Sequence, residues 1–221
     1  MKSRLLTGVV FGMLLFTSVA RADEDSKQEV HAQGIGFYTK TSTSTGRRQG
    51  ATDAGGFLVG YRYHFNRWLA ADASYGRVRD TQRTITTTPS LLPPITPILG
   101  PGPRVITTTL PVQADVNETT AAAVVTIPSF GRLKPYALGG TGALTFAPTR
   151  ALGAFTPGAS TQSKAVFEYG GGVDYDFTRH FAGRIEYRGF VYKSPDFGLI
   201  ALNTGTTTHT AQPSAGIVFK F

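Results

Sequence analysis

The side chains able to do chemistry in this 221-residue chain are few: four histidines, fourteen carboxylates and no cysteine. Without a thiol there is no thiolate nucleophile, no disulfide framework and no Cys-ligated metal. His31, near the start of the mature chain, and His180, in a turn, read as solvated residues, while His64 sits near a strand end where a structural hydrogen bond is the natural use of an imidazole. His209 has Thr208, Thr210 and Ser214 close by. A Ser-His nucleophile also needs an orienting acid within reach, and the spacing supplies none. Glu168 with Asp174, or Asp174 with Asp176, has the form of an acid/base pair, but arginines on neighbouring strands favour structural ion pairing. The runs Gly139-Gly140-Thr141-Gly142 and Gly170 to Gly172 lie inside alternating strands with no helix after them, which excludes phosphate loops. Asn117-Glu118-Thr119 matches a glycosylation sequon by letter only. No catalytic residue, metal site or cofactor is expected.

Any other function must come from the elements that carry these residues, and the first of them is a leader. Residues 1–22 open with Lys2 and Arg4, continue through the apolar run Leu5 to Val19 and close on Ala20-Arg21-Ala22. This is the pattern of a cleaved secretory signal. An apolar run of that length falls short of the roughly 20 residues a spanning helix needs. With Lys2, Arg4 and Arg21 set aside, the formal charge of +8 falls to +5, 19 basic against 14 acidic side chains. That is too small and too interspersed an excess to argue for nucleic acid. Residues 23–221 then form one domain.

Within that domain the dominant signal is alternation. Phe57, Val59, Tyr61, Tyr63 and Phe65 share one strand face, against Gly56, Gly60, Arg62 and His64. Lys164 to Phe177 repeats the rule, with Phe167, Tyr169, Val173 and Tyr175 against Glu168, Gly170, Gly172 and Asp174. Phe181, Ile185, Tyr187 and Val191 oppose Arg184, Glu186 and Arg188, and Ala215, Ile217, Phe219 and Phe221 oppose Ser214, Gly216 and Lys220. Weaker segments add Trp68 to Arg77, with Asp72 on the polar side, Asn117 to Ile127 and Lys134 to Phe146, whose apolar face is Tyr136, Leu138, Leu144 and Phe146. Around Val30 to Thr39 the choice between Ile35/Phe37 and Ala32/Tyr38 stays open. The total is eight strands, each about the 9 to 11 residues of a tilted membrane strand.

The connections alternate in length. Asn66-Arg67, Pro128 to Leu133 and Thr178 to His180 are short, whereas 40–53, 79–112, 147–163 and 193–207 are long. Outer-membrane barrels have short periplasmic turns and longer extracellular loops, and an even strand number leaves both termini periplasmic. In loop 79–112 the echo of Arg83-Thr84-Ile85-Thr86-Thr87-Thr88 in Arg104-Val105-Ile106-Thr107-Thr108-Thr109 predicts a hairpin extension with an irregular Pro-rich tip.

An eight-stranded barrel is either a soluble carrier with an apolar lumen or a lipid-embedded barrel with an apolar wall. Aromatic residues gathered near the short turns, Tyr63, Phe65, Trp68, Tyr136, Tyr175, Phe177 and Phe181, describe an interfacial girdle. An arginine facing mid-membrane lipid costs about 2 to 4 kcal/mol. Arg62, Asp72, Glu168, Asp174, Arg184, Glu186 and Arg188 are therefore expected inside, as a polar network that plugs the lumen.

Four motifs carry a family resemblance: Phe65-Asn66-Arg67-Trp68-Leu69, Lys134-Pro135-Tyr136-Ala137-Leu138-Gly139-Gly140, Tyr169-Gly170-Gly171-Gly172-Val173-Asp174-Tyr175 and the ending Pro213 to Phe221. Residues 27–221 resemble the OmpA/OmpX-type family of small outer-membrane β-barrels. The resemblance implies an all-β, eight-stranded antiparallel up-and-down transmembrane barrel in the outer membrane of a Gram-negative-type bacterium. It also implies Ile217, Phe219 and Phe221 as the signal read by the barrel-assembly machinery. The expected partners are outer-membrane lipid and lipopolysaccharide, that machinery, and an extracellular ligand at loop 79–112. The function expected is structural or surface-binding through the loops, with a narrow gated pore as the alternative and a lipid-modifying enzyme, as some small barrels are, behind both. The His-x-Ser pattern associated with lipid A deacylases is absent, since Thr210 and Ala211 follow His209.

Overall fold

The computed structural model describes residues 27–44, 47–90, 104–149, 157–199, 203 and 205–221. The expected leader and the tip of loop 79–112 lie outside the described residues. Ten strands follow one another: β1 (Gln28–Thr39), β2 (Ser42–Ser44), β3 (Arg47–Ala51), β4 (Ala54–His64), β5 (Leu69–Ser90), β6 (Arg104–Thr126), β7 (Leu133–Pro148), β8 (Gln162–Asp176), β9 (Phe181–Lys193) and β10 (Thr207–Lys220). Leaving aside β2 and β3, each of the other eight pairs antiparallel with its neighbours in sequence, and β1 closes onto β10 from Glu29↔Lys220 to Thr39↔Thr210. The eight strands form a closed up-and-down barrel in which each is paired on both sides, the condition for strands in hydrocarbon.

The two ends are built differently. At one, three short turns join β4–β5, β6–β7 and β8–β9. Two of them use a polar side chain to replace lost ladder bonds. Asn66 Oδ1 accepts from the Trp68 and Leu69 amides at 2.8 and 2.9 Å, and Thr178 Oγ1 accepts from the Phe181 amide at 3.0 Å. Gly131, with φ 65°, supplies the left-handed residue of the third. At the other end, β5 and β6 stay paired out to Ser90↔Arg104, so much of the expected loop 79–112 is a ribbon. Pro89 and Pro111 lie in that ladder, which their β-branched neighbours keep extended. The 40–53 connection, read from sequence as loop, contains β2 and β3, and β3 pairs with the β5 extension from Arg47↔Thr86 to Ala51↔Gln82.

Alternation sorts the strands into wall and interior. Phe57, Val59, Tyr75, Phe167, Tyr169, Ile185, Tyr187 and Ile217 are exposed on the wall. The register left open in β1 resolves with Glu29, His31, Gln33, Ile35 and Phe37 inside. The interior is layered. Towards the short turns it is mainly polar, with a small apolar cluster of Ala70, Ala122, Val124, Tyr136 and Leu138 beside the charges, and towards the long-strand end it is a larger apolar cluster that includes Ile35, Phe37, Leu58, Leu144, Phe146 and Phe190.

β7 departs from the sequence reading, because its apolar face is lumenal. Tyr136, Leu138, Leu144 and Phe146 are all buried. The register Gly140↔Glu168 puts the even-numbered residues of β7 on the same side as Glu168 and Asp174. Tyr136 is thus not a girdle residue, and its hydroxyl meets Glu186 inside. Gly172 leaves the room, since a Cβ there would stand 2.6 Å from both the Tyr136 hydroxyl and the Ile185 carbonyl. Gly172→Ala is therefore expected to destabilise the barrel by about 1–3 kcal/mol, the usual cost of overpacking. Gly139→Ala, with nothing within 4 Å, should leave the urea midpoint of the bilayer-inserted protein in place, and equal midpoints for the two variants would contradict this packing.

Candidate functional site

Three guanidiniums organise the polar half of the lumen. Arg62 on β4 and Arg184 and Arg188 on β9 are at most 1% exposed. They reach the interior because they occupy the inward phase of strands whose outward phase is aromatic or aliphatic. Arg184 grips Asp174 through Nε and Nη2, both at 2.7 Å, and Nη2 also donates to Glu29 Oε1 at 2.6 Å. Arg62 Nε donates to Asp72 Oδ2 at 3.0 Å, with Glu29 and Glu186 at 3.4 and 3.5 Å from its other nitrogens. Arg188 Nε donates to Glu186 Oε1 at 2.6 Å, Nη1 donates to Glu168 Oε1 at 2.8 Å and to Ser74 Oγ at 2.7 Å, and Nη2 lies 3.4 Å from Asp72 Oδ1. The seven side chains expected inside are thus brought together.

Residues the sequence reading did not place here complete the cluster. Glu29 bridges Arg62 and Arg184. His31 is buried rather than solvated. Its Nε2 is 3.1 Å from Asp72 Oδ2, and Gln33 Nε2 is 3.1 Å from its Nδ1. Tyr136 donates to Glu186 Oε2 at 2.5 Å, with the Arg62 and Arg184 guanidinium carbons 4.5 and 5.2 Å from its ring centre, a stacking worth more for being desolvated. Gln212 Nε2 donates to Glu118 Oε2 at 2.6 Å. The signal available for β1 was the spacing Glu29, His31, Gln33, three polar side chains in one phase of an otherwise apolar strand.

Six carboxylates, Glu29, Asp72, Glu118, Glu168, Asp174 and Glu186, surround these three arginines. Below them a cavity of about 520 Å³ opens between the short turns, bordered by Lys27, Glu29, Arg62, His64, Arg67 and Lys134. Asp176 holds both Lys134, at 2.8 Å, and Lys220 at its rim.

Ser214 and His209, the pair weighed as nucleophile and base, do not face each other. Ser214 faces inward and donates to Gln33 Oε1 at 2.8 Å, whereas His209 is exposed on the other face of β10. Among the described residues no group of three His, Cys, Asp or Glu side chains is placed to hold a metal. Tyr63, Phe65, Trp68, Tyr175, Phe177 and Phe181 are exposed on the outer wall beside the short turns. Tyr63 stands edge-on to Phe65 at 5.3 Å, Tyr175 to Phe177 at 5.4 Å, and Phe181 lies 5.2 Å from Phe219, which stacks on Phe221 at 5.8 Å.

At the opposite end the segment Pro195 to Leu199 folds over the apolar cluster. Phe197 has φ 52° yet is only 1% exposed. A left-handed non-glycine residue costs roughly 1–2 kcal/mol, so the packing of its ring must offset that cost. Gln162 fastens the segment: its Nε2 donates to Asp196 Oδ1 at 2.6 Å, and its Oε1 accepts from the amides of Asp196 and Phe197 at 3.0 and 3.3 Å. Partial burial pushes the Asp196 carboxyl up, but the Gln162 amide, the Gly198 amide and the charge of Lys164 outweigh it and hold the group below its ordinary value.

Arg188 joins four partners, so truncating it strands several buried carboxylates. Arg188→Ala is expected to lower unfolding free energy by about 3–5 kcal/mol, read from urea titration in lipid bilayers. Arg77→Ala, which breaks the solvent-facing pair with Asp115, should barely move the midpoint. Comparable losses in the two variants would mean the buried network contributes nothing special.

Solved structures of small outer-membrane barrels share this architecture. The crystal structure of Neisserial surface protein A aligns with TM-score 0.58 and 16% identity over 89% of this chain and 98% of that one. The outer membrane protein OprG from Pseudomonas aeruginosa aligns with TM-score 0.56 and 13% identity over 88% and 95%. At such identities the likeness concerns fold alone. No curated protein matches the sequence. The sequence family described as "Outer membrane protein beta-barrel domain" matches residues 9–221. A closed barrel with an aromatic wall and ion-paired arginines across its lumen agrees with that match, and the chain belongs to the outer membrane protein beta-barrel domain family.

Proposed function

We propose that this outer-membrane barrel is a non-catalytic scaffold with a plugged lumen, whose work is structural or surface-binding and is done by the long-strand end. The observation that supports this reading is the set of side chains inside the barrel. Ion-paired arginines cross the polar half, and a packed apolar cluster fills the other. Eight strands enclose a space that side chains suffice to fill. What remains available for recognition is the β5–β6 ribbon with β2 and β3 against it, a rigid mount for the 79–112 segment. In this reading both termini and the short turns are periplasmic, and the long-strand end meets lipopolysaccharide and an extracellular ligand. Tyr63, Phe65, Trp68, Tyr175, Phe177 and Phe181 form the inner-leaflet girdle, and Ile217, Phe219 and Phe221 are read by the assembly machinery.

A narrow pore is the second reading, favoured by the surplus of carboxylates over arginines and by the cavity between the short turns. Planar-bilayer recording separates the two. The scaffold predicts no steady conductance, with Glu186→Lys changing stability only. A reproducible cation-preferring current altered by that substitution would replace the scaffold by the pore. For assembly, Phe221→Ala is expected to cut the heat-modifiable, membrane-inserted fraction severalfold while leaving synthesis unchanged, and full insertion would release Phe221 from this role.

A further inference from the structure

The Pro195 to Leu199 segment points to a second site, distinct from the ion-paired half of the lumen. Phe197 projects from a loop into the barrel, where its ring meets Phe146 edge-on at 6.3 Å and joins a cluster with Leu144, Val166, Phe190 and Tyr192. Ala159 and Leu199 pack on the same cluster from above. The backbone that delivers the ring is in a conformation that a residue with a Cβ avoids. Its hydrogen bonds to the barrel include those of Gln162 and those that the Ser160 amide and hydroxyl donate to the Phe197 carbonyl, and within the segment the Leu199 amide donates to Asp196. A strained segment with one aromatic ring seated in an apolar hollow is a plug rather than a continuation of the wall.

We propose that Phe197 is a displaceable lid occupying a binding site for a small uncharged apolar molecule, of the size of a monocyclic arene or a short alkyl chain. The occupant's chemistry follows from the seat. The lining is mostly aliphatic and aromatic, and its buried polar groups already have partners, the Tyr192 hydroxyl with Thr210 at 2.9 Å and the Asp80 carboxylate with Thr52 at 3.2 Å. A charged or strongly polar ligand would lose its hydration to a seat whose few polar groups are already engaged. The pocket is blind, because the ion-paired layer closes it below. This goes beyond the scaffold reading and does not depend on which side of the membrane the loops face.

The chain has no cysteine, so one introduced thiol reports lid opening. Ala114 lies on the inward face of β6 in the same cluster and is fully buried. In full-length, bilayer-inserted Ala114→Cys protein, a small charged methanethiosulfonate should react slowly. Adding Gln162→Ala, which removes the fastening, should raise the rate at least tenfold, and saturating toluene should slow it again by filling the vacated seat. Phe197→Gly, which suits the φ and removes the ring, gives the same test should Gln162→Ala fail to insert, insertion being checked by heat-modifiable mobility. An unchanged labelling rate in both opened variants would overturn the lid, and a raised rate indifferent to toluene would overturn the site.

Discussion

Charge enclosed in a narrow low-dielectric tube has to be neutralised within that tube, and most of this structure follows from how the neutralisation is done. Glu186 and Arg188 share a strand, but most of the pairing crosses strands. Arg184 reaches Glu29 across 155 positions of sequence, and Arg188 reaches Ser74 across 114. The network therefore ties β1, β4, β5, β8 and β9 into one ring and is complete only when the barrel is closed. Closure is in turn what removes the water that would weaken each pair. Such pairs add less net stability than their short distances suggest, because desolvation consumes much of the attraction. Their larger effect is on register: a slip of one residue in β9 would turn Arg184, Glu186 and Arg188 towards lipid.

The same tube is apolar at its other end, which gives the molecule a polarity along its axis. At the short turns, charged side chains border an open cavity. At the long-strand end the walls converge on aromatic and aliphatic side chains, and a loop supplies the last ring, Phe197. Beyond that cluster β5 and β6 run on as a ribbon steadied by β3. Rigid wall, paired middle and loop-capped apolar end are consequences of one alternating pattern whose inward residues change character along the strand.

Much of this was legible in the sequence. Alternation marked the eight barrel strands, the outward aromatics named the wall, and Arg62, Asp72, Glu168, Asp174, Arg184, Glu186 and Arg188 all fell on the opposite phase. Tyr136 did not read correctly, because β7 carries its apolar residues on the lumenal face, and apolar alternation alone cannot say whether a greasy face meets lipid or a greasy core. His31 was hidden for a related reason. β1 opens with polar residues in one phase and continues with apolar ones in the same phase, so its two halves argue for opposite registers.

The residues alone determined the period, the eight barrel strands, the place of the short turns and the separation of an aromatic wall from a charged lumen, since each depends on neighbours a few positions apart. Only the closed tertiary structure decided which carboxylate meets which guanidinium, that Tyr136 joins them, that β3 docks on β5 and that Phe197 caps the far end. Those contacts join residues tens to more than a hundred positions apart, and they acquire their energy only when closure brings the strands around a common axis and expels water.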